Sequence, residues 1–157
     1  MATTDLSHYD KDSLPSLNGA KVAIVVAEWN NEITEGLYRG CEATFKDCGI
    51  TDIIRKDVPG SFELPMGAQF VLENTNVDAV VCLGSVIQGE TKHFDFVCQG
   101  VTQGIVSLNF SSNRPVVFCV LTDNTLQQAI DRSGGQHGNK GVEAAVTALK
   151  MIALAQQ

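Results

Sequence analysis

Residues 21–27 read KVAIVVA, a short apolar run that is rich in β-branched side chains and lacks polar alternation. Such a run predicts a strand that is buried on both faces, as at the centre of a parallel sheet. After it, apolar residues recur every third or fourth position from Ile33 to Cys48, and Gly49 is a suitable residue to end a helix. This stretch therefore predicts one strand followed by one helix.

The same alternation continues along the chain. We predict further strands at 52–58, 79–83 and 116–121, helices at about 63–73, 94–109 and 125–132, and a long amphipathic helix at 141–155. Strands that alternate with helices through short connections form a parallel sheet with helices on both faces. The expected fold is a three-layer αβα sandwich on a four-stranded parallel sheet, of the flavodoxin-like class. It comprises a single domain at 19–157 and a separate N-terminal segment at 1–18, which by its composition is expected to be loosely ordered.

Charge and composition exclude several classes of protein. A net charge of −7 without a Lys/Arg cluster disfavours nucleic-acid binding and attachment to anionic membranes. No apolar run reaches membrane-spanning length and no signal peptide is present, so we expect a cytoplasmic protein. The five cysteines show no metal-binding spacing, and their odd number argues against a disulfide framework. We interpret them as reduced core thiols.

Four polar segments follow the predicted strands, at 28–31, 59–63, 85–93 and 122–124. In open parallel sheets, ligands bind outside the carboxyl ends of the strands. The four segments should therefore converge on one edge of the sheet. This convergence favours an enzyme over a purely structural protein.

Two of these segments offer groups for a flat, polyhydroxylated ligand. Trp29 is suited to stack on a heterocycle, although a lone indole is also consistent with a core or interface aromatic. Ser61 and Phe62 lie where a helix N-terminus exposes backbone N–H groups, and Glu63 can accept hydrogen bonds from a polyol. The alternative is helix capping, with Ser61 as the N-cap and Glu63 favoured by the helix dipole.

The third segment suggests an anion site beside a proton-transfer group. Gly89, Glu90 and Thr91 can present backbone amides and a hydroxyl to a phosphate. His93 follows closely, and histidine is the side-chain type that titrates near neutral pH. A free loop with a structural or surface histidine is the alternative interpretation.

Two cations flank a Gly-rich stretch at 133–138, whose flexible backbone would let both reach one anion. They are Arg132 and Lys140, and arginine suits a bidentate grip on phosphate. Taken singly, each is more typical of a solvated surface charge or of a partner for a helix C-terminus. The loop after the first strand carries Glu28 and Glu32, which would repel a phosphate there and so argue against a flavin mononucleotide carrier.

Taken together, several motifs resemble the lumazine synthase family of riboflavin biosynthesis. They are WN at 29–30, PGSFELP at 59–65, GSVIQGETKHFD at 84–95, PVVFCVLTDNT at 115–125 and RSGGQHGNKG at 132–141. The resemblance implies condensation of 5-amino-6-(D-ribitylamino)uracil with 3,4-dihydroxy-2-butanone 4-phosphate, which yields 6,7-dimethyl-8-ribityllumazine, phosphate and water. It implies no metal and no organic cofactor.

The resemblance also implies roles for individual residues. His93 would transfer protons. Contacts to the aminouracil would come from Trp29, Ser61, Phe62, Glu63, Ser85, Val86, Ile87 and Phe118, and contacts to the phosphate from Glu90, Thr91, Arg132 and Lys140.

Members of this family assemble as pentamers with sites between subunits. The resemblance implies that Phe118, Arg132 and Lys140 reach the site of a neighbouring subunit, against which residues 1–18 would also pack. The RSGGQHGNKG segment is similar in its compact length to that of family members that stack twelve pentamers into an icosahedral shell, so the resemblance implies sixty subunits. Riboflavin synthase is a further partner that the resemblance implies. The alternative function is a non-catalytic flavin-binding or shell-forming protein on the same fold.

Overall fold

The computed structural model describes residues 5–157, in which four parallel strands form the main sheet in the order β2-β1-β3-β4. Each strand covers one of the four predicted strands, and β1 pairs with both β2 and β3. This arrangement confirms the predicted four-stranded parallel sheet. The strands are β1 Lys21–Ala27, β2 Asp52–Val58, β3 Ala79–Ile87 and β4 Val116–Asp123.

Helices cover both faces of the sheet, so the predicted three-layer sandwich is confirmed. One core lies between the sheet and α1, α4 and α5, and the other lies between the sheet and α2 and α3. Gly49 adopts a left-handed φ of 85° directly after the first helix and its cap. The helices are α1 Asn31–Asp47, α2 Leu64–Asn74, α3 His93–Ser112, α4 Leu126–Arg132 and α5 Lys140–Ala155.

The central strand β1 supplies both cores. Val22, Ile24 and Val26 belong to the core beneath α1 and α5. The alternate residues Ala23, Val25 and Ala27 belong to the core beneath α2. All six are at most 1% exposed, as the unbroken apolar run predicts for a strand covered on both faces.

Two strands extend beyond their apolar runs. β3 continues through Ser85 to Ile87, and its pairing with β4 continues to Ile87 opposite Asp123. The backbone ladder does not require apolar side chains, so polar residues such as Ser85 and Thr122 also lie within the strands, near the edge where we expected only loops. Ser85, Val86 and Ile87 are therefore held by strand pairing.

The expectation of a flexible Gly-rich stretch after Arg132 is wrong. Residues 133–139 form a short antiparallel hairpin, β5 Ser133–Gly135 with β6 Gly138–Asn139. The Asn139 side chain anchors it by donating hydrogen bonds to the carbonyls of Gly36, at 2.9 Å, and Ser133, at 3.2 Å. The cations on either side of the hairpin are therefore fixed in position rather than carried on an open loop.

The N-terminal segment contacts its own chain. The Tyr9 hydroxyl donates to the Asp47 carboxylate at 2.9 Å, and the Lys11 ammonium lies 3.1 Å from the same group. A 3-10 turn spans Lys11–Ser13. Residues 1–4, which belong to the predicted segment 1–18, lie outside the described residues. No helix found between residues 5 and 157 has the length and apolar character needed to cross a membrane.

The cysteines are all free thiols. Cys41, Cys82 and Cys119 are buried as expected, and burial raises the pKa of Cys82 and Cys119 to about 12. Cys48 and Cys98 are only half-buried, which corrects the expectation that all five belong to the core.

Candidate active site

The carboxyl ends of β1 and β3 are tied together by the loops that follow β1 and β2. The Asn30 side chain donates a hydrogen bond to the Ser85 carbonyl at 2.8 Å, and the Ser61 hydroxyl lies 3.5 Å from the same oxygen. Asn30 has a left-handed φ of 58°, a conformation that asparagine adopts more readily than most residues. These contacts bring three of the four predicted segments together.

A cavity of about 600 Å³ opens at this edge. Three exposed aromatic rings border it, and strand β3 forms one wall. Its lining contains most of the residues predicted for the aminouracil and also the histidine predicted for proton transfer. The lining residues are Trp29, Asn30, Ser61, Phe62, Glu63, Ser85, Val86, Ile87, His93, Phe96 and Val97.

Trp29 is held in place by a glycine rather than by a core. A Cβ atom at Gly60 would lie only 2.6 Å from Cε3 of the indole, so the ring rests directly on the backbone of the PGSFELP turn. The indole remains 67% exposed. The alternative in which Trp29 is a core residue is therefore wrong, and its open side is available to a planar ligand or a neighbouring subunit.

Two polar atoms near the cavity are buried without a hydrogen-bond partner in the described part of the chain. They are Oε2 of Glu63 and Oγ of Ser85. Unpaired buried polar atoms are costly, and most buried polar atoms in proteins therefore have a hydrogen-bond partner. A ligand with several N–H or O–H donors would satisfy the carboxylate, and the serine hydroxyl can donate or accept.

The capping interpretation of the PGSFELP turn is wrong for Ser61. Residues Ser61–Glu63 form a 3-10 turn, and α2 starts only at Leu64. The Ser61 hydroxyl points toward the Ser85 carbonyl instead of a helix amide. Gly84 makes this possible, because a Cβ there would lie 2.6 Å from the Ser61 hydroxyl oxygen.

The predicted anion turn leads directly into the long helix α3. Glu90 and Thr91 are exposed residues of the turn, and His93 is the first residue of the helix rather than part of the loop. The His93 amide lies 3.4 Å from the Thr91 hydroxyl. The free N–H groups and the dipole of a 20-residue helix favour an anion beside an imidazole at this end.

The remaining predicted residues lie elsewhere on the subunit. Phe118 and Lys140 line a second groove, of about 380 Å³, between β4 and α5. The Lys140 ammonium is 2.7 Å from the Glu143 carboxylate, whereas the Arg132 guanidinium faces Asp123 at 3.8 Å. Each cation thus has a carboxylate partner within its own subunit.

Sequence reasoning did not assign Asn30, Phe96 and Val97, all of which line the cavity. Asn30 had a usable signal, because it directly follows Trp29 at the end of a strand and asparagine favours left-handed turns. Phe96 and Val97 had none, since apolar residues on the first turn of a helix are also typical of a core.

The family model described as 6,7-dimethyl-8-ribityllumazine synthase matches residues 19–156 of the chain. The relative from Flavobacterium johnsoniae, which carries that name, is 58% identical over 100% of this chain and 85% of its own length. The relative of the same name from Cytophaga hutchinsonii is 54% identical over 97% of this chain and 96% of its own. The one from Porphyromonas gingivalis is 50% identical over 98% of each.

Proposed function

The chain belongs to the 6,7-dimethyl-8-ribityllumazine synthase family, and from that premise we propose how its side chains carry out the reaction. It is a transferase of riboflavin biosynthesis. It condenses 5-amino-6-(D-ribitylamino)uracil with 3,4-dihydroxy-2-butanone 4-phosphate and releases phosphate, water and 6,7-dimethyl-8-ribityllumazine. No observation favours the alternative of a non-catalytic flavin-binding or shell-forming protein.

The cavity beside Trp29 binds the aminouracil in this proposal. The pyrimidine stacks on the exposed indole, and the strand backbone from Ser85 to Ile87 faces the polar edge of the ring. Ser61, Phe62 and Glu63 border the ribityl chain. The unpaired Oε2 of Glu63 is the observation that carries this assignment, because a polyol or ring N–H would supply its missing donor.

The phosphorylated ketone binds with its phosphate at the turn before α3. Glu90 and Thr91 contribute backbone N–H groups and a hydroxyl there, and the helix N-terminus favours the dianion. With an exposed side chain, Glu90 can direct its carboxylate into solvent. Arg132 grips the phosphate from a neighbouring subunit, with Lys140 as a nearby cation.

His93 moves protons between steps of the condensation. Imine formation, loss of phosphate and ring closure each require proton transfer, and His93 stands between the aminouracil cavity and the anion turn. The reaction requires no oxidant or reductant from the protein. Positioning of the two substrates side by side provides much of the remaining acceleration.

The complete site lies between two subunits of a pentamer in this proposal. Within one subunit, Phe118 and Lys140 line a groove separate from the Trp29 cavity. Phe118 is 41% exposed between buried neighbours on β4, as expected for a residue that serves another subunit. Exposed apolar side chains on α2 and α3 supply further contact surface, among them Met66, Phe70, Val106 and Phe110.

The compact hairpin after Arg132 leads us to favour a sixty-subunit shell built from these pentamers. We also propose that the protein is cytoplasmic and that riboflavin synthase is a partner. Part of segment 1–18 packs on a neighbouring subunit in this proposal. Residues 19–157 form the catalytic domain.

Mixing the purified protein with both substrates tests the reaction directly. We expect product absorbance and fluorescence to rise well above the spontaneous rate, because the two substrates are oriented together. The same protein heated until it unfolds serves as the control. Equal rates in the folded and unfolded samples would contradict the proposed activity.

We expect His93→Ala to lower turnover by about 10²-fold without abolishing it, because substrate alignment survives the loss of proton transfer. Steady-state kinetics would measure this. His8→Ala is a matched control, since its side chain is 91% exposed. Wild-type turnover in His93→Ala would remove this residue from the mechanism.

Mixed assemblies test whether sites are shared. When His93→Ala and Arg132→Ala subunits assemble together in equal amounts, about one quarter of the interfaces have an intact His93 on one side and an intact Arg132 on the other. About one quarter of wild-type activity should therefore return. Separately assembled samples that are mixed afterwards provide the control. No recovery in the co-assembled sample would place His93 and Arg132 in the same subunit's site.

Light scattering would measure the assembly. We expect a mass of about 1 MDa, sixty times the 16.8 kDa subunit. A mass five times that of the subunit would reject the shell and retain the pentamer. A monomeric mass in an active sample would reject the shared site altogether.

A further inference from the structure

Asp123, the last residue of β4, is a buried carboxylate to which the mechanism above gives no role. Its side chain is only 9% exposed and its Oδ2 has no hydrogen-bond partner within residues 5–157. The register places it opposite Ile87, at the end of β3. The backbone confirms this proximity, since the amide of Gln88 donates to the Asp123 carbonyl at 2.9 Å.

The charged partner of Asp123 is Arg132. Oδ1 of the carboxylate lies 3.8 Å from the guanidinium Nε, which is within ion-pair range but beyond a hydrogen bond. The Arg132 Nη1 instead donates to the Gln128 carbonyl at 2.9 Å. Burial raises the pKa of Asp123 and the neighbouring guanidinium opposes that rise, so their interaction is mainly one of charge.

A carboxylate in this position opposes anion binding to the same arginine. A phosphate gripped by Arg132 would lie within about 8 Å of the Asp123 charge, and the buried carboxylate is poorly screened by solvent. Asp123 makes no side-chain hydrogen bond within the described chain. Its influence on anion binding at Arg132 therefore comes from its charge rather than from the shape of its side chain.

We propose that Asp123 is the counter-ion that lowers the affinity of Arg132 for a tetrahedral dianion, and so sets the affinity of the site for substrate phosphate and released phosphate. This inference rests on the proposed role of Arg132 in binding the phosphate. Asp123 touches no reacting atom, and it acts only through the arginine. The same charge that weakens binding of the phosphorylated substrate would speed departure of the phosphate product.

Inhibition of the assembled enzyme by inorganic sulfate provides the test, because sulfate is a tetrahedral dianion that takes no part in the reaction. Replacing Asp123 by asparagine keeps the shape and removes the charge. We expect the inhibition constant for sulfate and the KM for the phosphorylated substrate to fall by about threefold to tenfold in Asp123→Asn. The KM for the aminouracil should not change, which a general loss of structure would not produce.

Three further variants make the outcome specific. Asp12→Asn removes the same charge from an exposed residue of the N-terminal 3-10 turn and should leave the sulfate constant unchanged. Asp123→Ser removes the charge with a smaller side chain and should act like Asp123→Asn even if the amide is poorly accommodated. In an Arg132→Ala background, Asp123→Asn should have no further effect.

The failures are distinguishable. If Arg132→Ala weakens sulfate binding but neither Asp123 variant strengthens it, Asp123 is not the counter-ion and only this inference is overturned. If Arg132→Ala leaves sulfate binding unchanged, the phosphate role of Arg132 is wrong and this inference falls with it. A gain that persists in the Arg132→Ala background would also overturn it, because the charge would then act without the arginine.

Discussion

Arg132→Ala should lower kcat/KM for the phosphorylated substrate by about 10³-fold, because charge-assisted bonds to a phosphate are among the strongest polar contacts a protein makes. In the proposed site the aminouracil occupies the Trp29 cavity, which Arg132 does not line, so the KM for the aminouracil should change little. Steady-state kinetics with each substrate varied in turn would separate the two effects. Arg132→Lys should recover part of the loss, since lysine keeps the charge without the planar fork.

Arg39→Ala is the matched control for this loss. Arg39 is an exposed arginine of α1, and its removal changes the net charge of the subunit equally. We expect kinetics within about twofold of wild type. An Arg132→Ala enzyme with an unchanged KM for the phosphorylated substrate would show that the phosphate binds elsewhere.

Gly141→Ala should be strongly destabilising. A Cβ atom at Gly141 would lie 2.0 Å from the Leu37 carbonyl oxygen, a backbone atom of α1 that cannot rotate away. The two helices would have to separate where both pack on the sheet. We expect the free energy of unfolding to fall by about 3 kcal/mol, measured by urea or thermal denaturation.

Gly89→Ala is the corresponding control, since nothing lies within 4 Å of a Cβ built at that position. Its free energy of unfolding should stay within about 0.5 kcal/mol of wild type. If Gly141→Ala were equally harmless, the close contact between α1 and α5 would not limit stability.

The main sheet and its helices were predictable because the apolar pattern is unambiguous. Runs such as KVAIVVA admit few arrangements other than a strand buried on both faces, and the helical spacing that follows permits burial on one side. The ends of β3 and β4 were not predictable. Ser85 and Asp123 extend the strands through backbone pairing, which leaves no trace in the hydrophobic pattern.

The hairpin after Arg132 shows a different limit. Glycine permits many conformations, so a Gly-rich stretch alone does not distinguish a flexible loop from a tight turn. Contacts from a distant residue decide the outcome here, because Asn139 donates to the Gly36 carbonyl more than a hundred positions earlier. Long-range contacts of this kind are not encoded in local sequence.

For the site, the sequence could predict which residues have suitable chemistry within one segment, but not how residues of different segments contact each other. The resemblance identified Trp29, Glu63 and His93, and the structure brings these three around one cavity. It could not indicate that Asn30 ties the loop after β1 to the end of β3, because that role depends on where the Ser85 carbonyl lies. Nor could it pair Arg132 with Asp123, a relation that exists only once β4 and α4 are folded together.

Because β1 contributes alternate side chains to two separate cores, it tolerates changes in length poorly. Inserting one residue near its start would move Ile24 into space shaped for Ala23 or Val25, and would send small side chains to the opposite face. The loop from Glu28 to Asn30, directly beyond the strand, is exposed, but its length is constrained as well, because Asn30 donates to the Ser85 carbonyl and Trp29 rests on Gly60. Both the strand and the loop that carries Trp29 should therefore accept substitutions more readily than insertions.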